Sequence, residues 1–280
     1  MKISVFRKDR KNVGDWYSTP VSFLPLLSVK KFDLAHPETI PNEPGIVVLG
    51  GGGLGRPEFA PFLQKLLRDD RKYRVIAWGV GSDTLTTKGR LLAGRENMQD
   101  LMSYFEGMDE VGTRIDRSLD IDTPENYHWV PCASCLSDQF ETLRETPIVR
   151  QVGVYEHLRE SVTQHLPIKS RTLNRLTKGI RFHSNRGTDL HSKLRFMAES
   201  EYVFTNSYHG VYWATLLGRK AVCFPFKNGL FTFRHPPAFV DNDGIENAMN
   251  KARVYSDALE ECRSANLGYY TELLQKYGDF

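Results

Sequence analysis

Residues 203–226, VFTNSYHGVYWATLLGRKAVCFPF, can fold in few ways. The apolar run Tyr202 to Thr205 suits a buried strand, and Asn206 and Ser207 are helix-capping types. Val211, Ala214 and Leu217 then recur at helical spacing, and Gly218 stands where a left-handed C-terminal cap is wanted. Ala221 to Phe224 make a second strand, stopped by Pro225. The pattern predicts a βαβ unit with two parallel strands. His209 falls in the first helical turn, just past the carboxyl end of a strand, where open α/β sheets bind ligands. The helix amino terminus offers free N–H groups and partial positive charge, which suit an anion and disfavour an imidazolium. Such a histidine is either a proton donor tuned towards neutral pH or a capping and packing residue.

The rest of the chain alternates strands and helices in the same manner. Lys2–Phe6, Ile46–Leu49, Arg74–Val80 and Glu110–Thr113 read as strands of a first series. Val21–Leu27 reads as a short helix limited by Pro25, the segment opened by Pro57 as a helix with proline in its first turn, and Leu91–Tyr104 as a further helix. Charge rises around Glu141–Arg150, which sets a boundary near residue 147. A second series follows: strand Gln151–Tyr155, helix His157–Gln164, strand Ile180–His183, helix Thr188–Ser200, the βαβ unit, and helices over Ala248–Ala265 and Tyr269–Tyr277. The predicted architecture is α/β, with two Rossmann-like lobes about a central cleft, residues 1–147 and residues 148–280 with the closing helices. At 280 residues the chain accommodates two such lobes.

Composition excludes several classes. A net charge of +3, with basic residues scattered rather than lining a stripe, does not point to nucleic acid. No apolar run reaches bilayer length, and the start, KISVF then RKDRK, lacks the apolar core of a signal peptide. Four cysteines make no disulfide framework, so the expected setting is reducing and cytoplasmic. The CxxC at Cys132 and Cys135 has no second pair at zinc spacing; buried thiols in an interdomain turn are the preferred reading, and no metal site is expected.

Other loops could line a site. Asn12, Gly14 and Asp15 occupy a first βα loop, although these residue types also favour a plain solvated turn. Gly50, Gly52 and Gly55 match a dinucleotide fingerprint formally, but on the wrong strand and without a suitable acidic partner. The run Gly50–Gly53 either admits a ligand close to the backbone or turns sharply. Arg114 follows a strand and has Asp116 as a surface alternative partner.

Taken together, Asn12-Val13-Gly14-Asp15, the Gly50–Gly53 run, Arg114 after Val111-Gly112, and Thr205-Asn206-Ser207-Tyr208-His209-Gly210 resemble the polysaccharide pyruvyl transferases. The resemblance spans residue 12 to about residue 224 and rests on motif order more than on any single motif. It implies a fold similar to GT-B glycosyltransferases. It also implies transfer of pyruvate from phosphoenolpyruvate, a co-substrate rather than a bound cofactor, onto a sugar hydroxyl pair as a ketal. His209 would be the general acid and Arg114 a donor-binding residue. Asn206, Ser207 and Gly210 fall in the same motif; Lys227, Arg234 and Arg186 are further cations for the donor side in the second lobe. Asp15 is the candidate base, or else a structural or acceptor-binding residue, and Asn12, Gly14, Gly51, Gly52 and Gly53 would line the acceptor side of the cleft. Many members carry arginine two residues before the histidine; here that position is Ser207. Acceptors of the family are often lipid-linked saccharides, so a peripheral contact at the inner face of the membrane is an expectation for the loop Phe224–Phe233. Two other readings remain open: a GT-B glycosyltransferase with a nucleotide-sugar donor, and a non-catalytic member of the fold.

Overall fold

The computed structural model describes residues 3–6, 11–25, 29–33, 36–82, 99, 102–116, 123–157, 162, 182–225, 228–241 and 243–278. Two parallel sheets organise them. The first contains β1 (Ile3–Phe6), β2 (Val29–Phe32), β3 (Ile46–Leu49), β4 (Gly52–Gly55), β5 (Arg74–Ser82), β6 (Glu110–Thr113) and β7 (Tyr127–Trp129), in the order β2-β1-β3-β5-β6-β7 with β4 also on β5. The second contains β8 (Arg150–Glu156), β9 (Phe182–Ser184), β10 (Ser200–Thr205), β11 (Lys220–Cys223) and β12 (Ala238–Phe239), in the order β12-β11-β10-β8-β9. All pairings between these strands are parallel. The central strands are covered on both faces and therefore continuously apolar: Ile46–Leu49 is buried at every residue.

Both orders change direction between their first and third strands, between β1 and β3 and between β8 and β10. Ligands of such sheets bind at the carboxyl ends beside that switch point. Here the two switch points face each other. The first presents α1 (Val13–Trp16) and the Gly50–Gly53 run; the second presents α5 (Tyr208–Leu216) after β10. The two facing parallel-sheet lobes make the fold GT-B-like.

Further helices among the described residues are α2 (Ala60–Leu66), α3 (Gln139–Arg144), α4 (Leu190–Ala198), α6 (Gly244–Lys251) and α7 (Ala258–Tyr277), and residues 102–105 are also helical. α5 is apolar around its whole girth, and His209 through Leu216 are all buried. α7 belongs to both lobes. Ala258, Leu259 and Cys262 enter the core of the second lobe, while Tyr269 and Leu273 pack with Ile46, Val48, Ile76 and Trp78 on the first sheet.

Several elements differ from expectation. The closing helices divide at residues 252–257 and not at residues 266–268: α6 ends at Lys251 and α7 runs unbroken for 20 residues. Gly268 lies within α7 on its exposed side and costs too little to end it. Of the expected helix over Val21–Leu27, only Val21 and Ser22 are helical among the described residues, within one 3-10 turn over Pro20–Ser22. α2 starts at Ala60, after a turn at residues 57–59, so Pro57 precedes the helix. Part of the glycine run is a strand, β4, entered through Gly52 at φ +117, a conformation that favours glycine. Lys227, Phe226, Ile180, most of Leu91–Tyr104 and most of His157–Gln164 lie outside the described residues.

Candidate active site

The two switch points meet at His209. Its ring is 3% exposed, and a Cβ on Gly14 would overlap it, so glycine at that position lets α1 of the first lobe lie directly against the imidazole. Asn12 shapes this loop: its Oδ1 accepts from Gly14 N at 3.1 Å, capping α1, and its Nδ2 donates to Asp15 Oδ2 at 2.8 Å. Asp15 is half-buried and faces Gly52, whose Cβ, if present, would stand 3.4 Å from Asp15 Oδ1. Ser18 Oγ donates in the same corner, with Asp15 O at 2.9 Å and Gly51 O at 3.0 Å. Gly51 is hemmed in by the carbonyls of Trp78, Gly79 and Ser18.

The lobes are joined by backbone. Val13 N donates to Asn185 O at 2.8 Å, Gly187 N donates to Lys11 O at 2.9 Å, and Asn12 and Arg186 form an antiparallel bridge. Ser207 extends this seam. It is 1% exposed, its Oγ is 3.0 Å from Asn185 Oδ1, and it caps α5 by accepting from Gly210 N at 3.4 Å. The position that carries arginine in many resembling sequences is thus a closed joint here. Asn206 Oδ1 accepts from His157 N at 2.7 Å, locking the loop beside β8. Gly210 is required by packing, since a Cβ there would overlap Thr205 Oγ1.

Arg114 leaves the end of β6 and is 4% exposed. Its guanidinium carbon lies 3.7 Å from the centroid of the Tyr208 ring, and Tyr208 in turn meets His209 edge-on at 5.3 Å. Gly81 makes room for it; a Cβ there would overlap Arg114 Nε. That Nε is buried and makes no hydrogen bond. A buried guanidinium with an unspent donor is costly unless a ligand completes it. Arg234 joins Arg114 in lining one small crevice with Tyr208, Phe233 and Trp129. Its guanidinium stacks on Trp129 at 3.7 Å, and its Nε is 3.3 Å from Asp116 Oδ1. Arg186 is exposed, and its backbone bridges to Asn12.

Burial pushes the His209 pKa down to about 3, helped by the charges of Arg114 and His157. At neutral pH the imidazole is therefore uncharged. Among the described residues no cluster of three or more His, Cys, Asp or Glu could hold a metal ion, and no helix is long and apolar enough to cross a membrane.

Several contributors have no local sequence signal. Cys132 Sγ is 3.5 Å from His209 Nε2, across 77 residues of chain. Tyr208, Asn185 and Gly81 likewise act through contacts that only the fold creates. All four cysteines are buried and unpaired, as read for the CxxC.

The facing switch points and the histidine at the α5 terminus define a two-lobed, GT-B-like α/β protein whose site is built from both lobes. Within that class the chain belongs to the polysaccharide pyruvyl transferase family, whose model matches residues 5–228. Among solved structures, a functionally uncharacterised protein from Klebsiella pneumoniae subsp. pneumoniae shares the fold at TM-score 0.50 and 18% identity, covering 86% of this chain and 93% of that one. A Listeria monocytogenes protein assigned as a UDP-N-acetylglucosamine 2-epimerase aligns at TM-score 0.49 and 12% identity over 95% and 90% of the two chains. The wall teichoic acid polymerase TagF aligns at TM-score 0.43 and 10% identity over 98% and 88%. Among curated proteins, none matches this sequence.

Proposed function

We propose that this protein transfers pyruvate from phosphoenolpyruvate to a hydroxyl pair of a surface-polysaccharide or glycolipid precursor, forming a ketal and releasing phosphate. One observation carries the reading: the buried, incompletely satisfied guanidinium of Arg114 stands beside a buried neutral histidine at a helix amino terminus. Phosphoenolpyruvate brings a phosphate and a carboxylate on one enol carbon, which charge-assisted donors hold best. Arg114 and Arg234 supply such donors within one crevice.

The reaction needs a proton on the methylene carbon, which leaves positive character at C2. A sugar hydroxyl attacks C2 and loses its proton, phosphate departs with the C2–O electron pair, and the second hydroxyl closes the ketal as its proton passes to the departing phosphate. His209 is the proton donor in this scheme, yet with a pKa near 3 it is uncharged at neutral pH. The bound donor resolves this. Its negative charge offsets that of Arg114, raises the histidine pKa and brings the imidazolium into existence only when substrate is present. Asp15 is the base; it sits across the seam, oriented by Asn12. The seam itself must part to admit the acceptor, since Gly14 covers the ring. The protein works in the cytoplasm on a lipid-linked or free saccharide; the described aromatic residues of the loop Phe224–Phe233 turn inward, Phe224 into the core and Phe233 onto Tyr208, so the expected membrane-facing role does not fit them.

Calorimetric titration tests the reading. Phosphoenolpyruvate should bind, with affinity reduced at least tenfold in Arg114→Ala, while uridine diphosphate should not bind. Binding of the nucleotide alone would replace this reading with a nucleotide-sugar glycosyltransferase.

A further inference from the structure

The segment Cys132–Cys135 has no role in the scheme above, yet it lies directly under α5. Three contacts run in line there. Trp213 Nε1 donates to Ser134 Oγ at 2.9 Å, Ser134 Oγ is 3.1 Å from Cys132 Sγ, and Cys132 Sγ is 3.5 Å from His209 Nε2. Trp213 and Ser134 are fully buried, Cys132 is 1% exposed and His209 3%. Tyr212 adds a tether, its hydroxyl donating to Cys132 O at 2.9 Å.

The direction of this chain follows from its first member. An indole nitrogen can only donate, so Ser134 Oγ must accept from Trp213. The hydroxyl hydrogen of Ser134 then needs an acceptor in a dry interior, and Cys132 Sγ is in reach. Burial pushes the Cys132 thiol up, so it keeps its hydrogen. With sulfur already accepting from Ser134, that hydrogen is free to point at His209 Nε2, a far better acceptor than sulfur. The opposite polarity would leave the Ser134 hydroxyl hydrogen without an acceptor and ask a weakly accepting thiol to take the imidazole N–H.

We infer that Trp213, Ser134 and Cys132 form a polarised relay that fixes His209 as its Nδ1–H tautomer, with Cys132 as a positioning residue. Nδ1 is the nitrogen beside Gly14, so the ring's proton faces the seam between the lobes and therefore the cleft when the seam parts. The relay also keeps the imidazole neutral, because a second proton on Nε2 would have to turn the thiol away. The catalytic meaning of this arrangement rests on His209 acting as proposed above; the tautomer does not.

Long-range nitrogen–proton correlation spectra of histidine-labelled protein, without substrate at neutral pH, read the tautomer directly. His209 signals are identified by their loss in His209→Gln. The expected result is an Nδ1–H pattern in the wild type, retained in Cys132→Ser, whose hydroxyl still donates, and lost to Nε2–H or a mixture in Cys132→Ala. An Nε2–H pattern in the wild type would overturn the proposal, as would an Nδ1–H pattern unchanged in Cys132→Ala. The wild-type spectrum decides even if a variant fails to fold. Because no substrate is added, a failed phosphoenolpyruvate titration would remove the proposed reaction and leave the tautomer result standing.

Discussion

At the scale of single residues, the site is shaped as much by missing atoms as by functional groups. Gly14 presents only hydrogen to His209, and a methyl group there would overlap the ring. The main chain of α1 is pinned by Asn12 and by Val13 N to Asn185 O, so the clash cannot be relieved by a small shift of a flexible side chain. Gly14→Ala should cost about 1–3 kcal/mol in chemical denaturation, in the range of other overpacked interiors, and should lower transfer activity with it. Wild-type stability in that variant would mean that α1 does not seat on the imidazole. His209 itself makes stability depend on pH. Its native pKa near 3 lies below the ordinary 6.5, so in that window the unfolded chain takes up a proton that the native state refuses. Stability contributed this way is complete at neutral pH and falls as the medium is acidified. His209→Gln removes the difference, and its melting temperature should fall less than that of the wild type between about pH 7 and about pH 5. Parallel losses in the two proteins would place the histidine's ordinary titration inside the fold.

At the scale of elements, α5 is the piece on which the site depends, and its amino terminus carries the strain of two tasks. Ser207 both caps the helix and reaches Asn185 across the seam. Ser207→Ala should lower stability by about 1 kcal/mol, as for other N-caps, with an added loss from the unpaired Asn185. A change below about 0.5 kcal/mol in thermal or denaturant melts would show the cap to be idle. This same stretch was the most legible part of the sequence, because strand, cap, helical spacing, terminal glycine and second strand all agree locally. β10, α5 and β11 occupy nearly the residues their pattern implies. Agreement failed where the deciding contact is distant. Gly52–Gly55 resembles a turn until β5 provides a pairing edge. Gly268 resembles a helix break until α7 is held along its length by two cores. Cys132 reads as a plain buried thiol because nothing near it in sequence announces a histidine 77 residues away. Motif order marked Asn12–Asp15, Arg114 and His209, and the fold brings the loops that hold them together. It could not show that Tyr208, although inside the last motif, and Gly81 serve to seat Arg114.

At the scale of the whole molecule, α7 ties the lobes into one unit by packing into both cores. Its central residue is Asn266, fully buried, which accepts from Trp78 Nε1 at 2.8 Å and donates to Cys262 O at 2.9 Å and Pro131 O at 3.2 Å. The amide therefore joins the first sheet, the segment between the lobes and the helix itself. The far end is fastened by Glu110, 3% exposed, to which Lys276 and the Tyr277 hydroxyl both donate. If the lobes part at the Gly14–His209 seam, as the proposed reaction requires, α7 is the strap that would hold them together, since it packs into both cores. It also makes unfolding cooperative, since neither lobe can lose its core without stripping half of α7 from the other. Asn266→Ala leaves the Trp78 indole and the Pro131 carbonyl without this partner in the interior, and should cost at least about 2 kcal/mol. Because the lost contacts are those that bridge the lobes, the larger effect should be on cooperativity. Urea titration followed by tryptophan fluorescence and by far-ultraviolet circular dichroism should give coincident single transitions for the wild type. For Asn266→Ala the summed fluorescence of the four tryptophans should become biphasic and cease to coincide with the circular dichroism, because Trp78 lies in a first-lobe core and Trp213 in the second. Coincident curves in the variant, merely shifted to lower urea, would mean that the strap adds stability to the molecule without coupling its halves, and the coupling would then have to be sought in the backbone bonds between Lys11–Val13 and Asn185–Gly187.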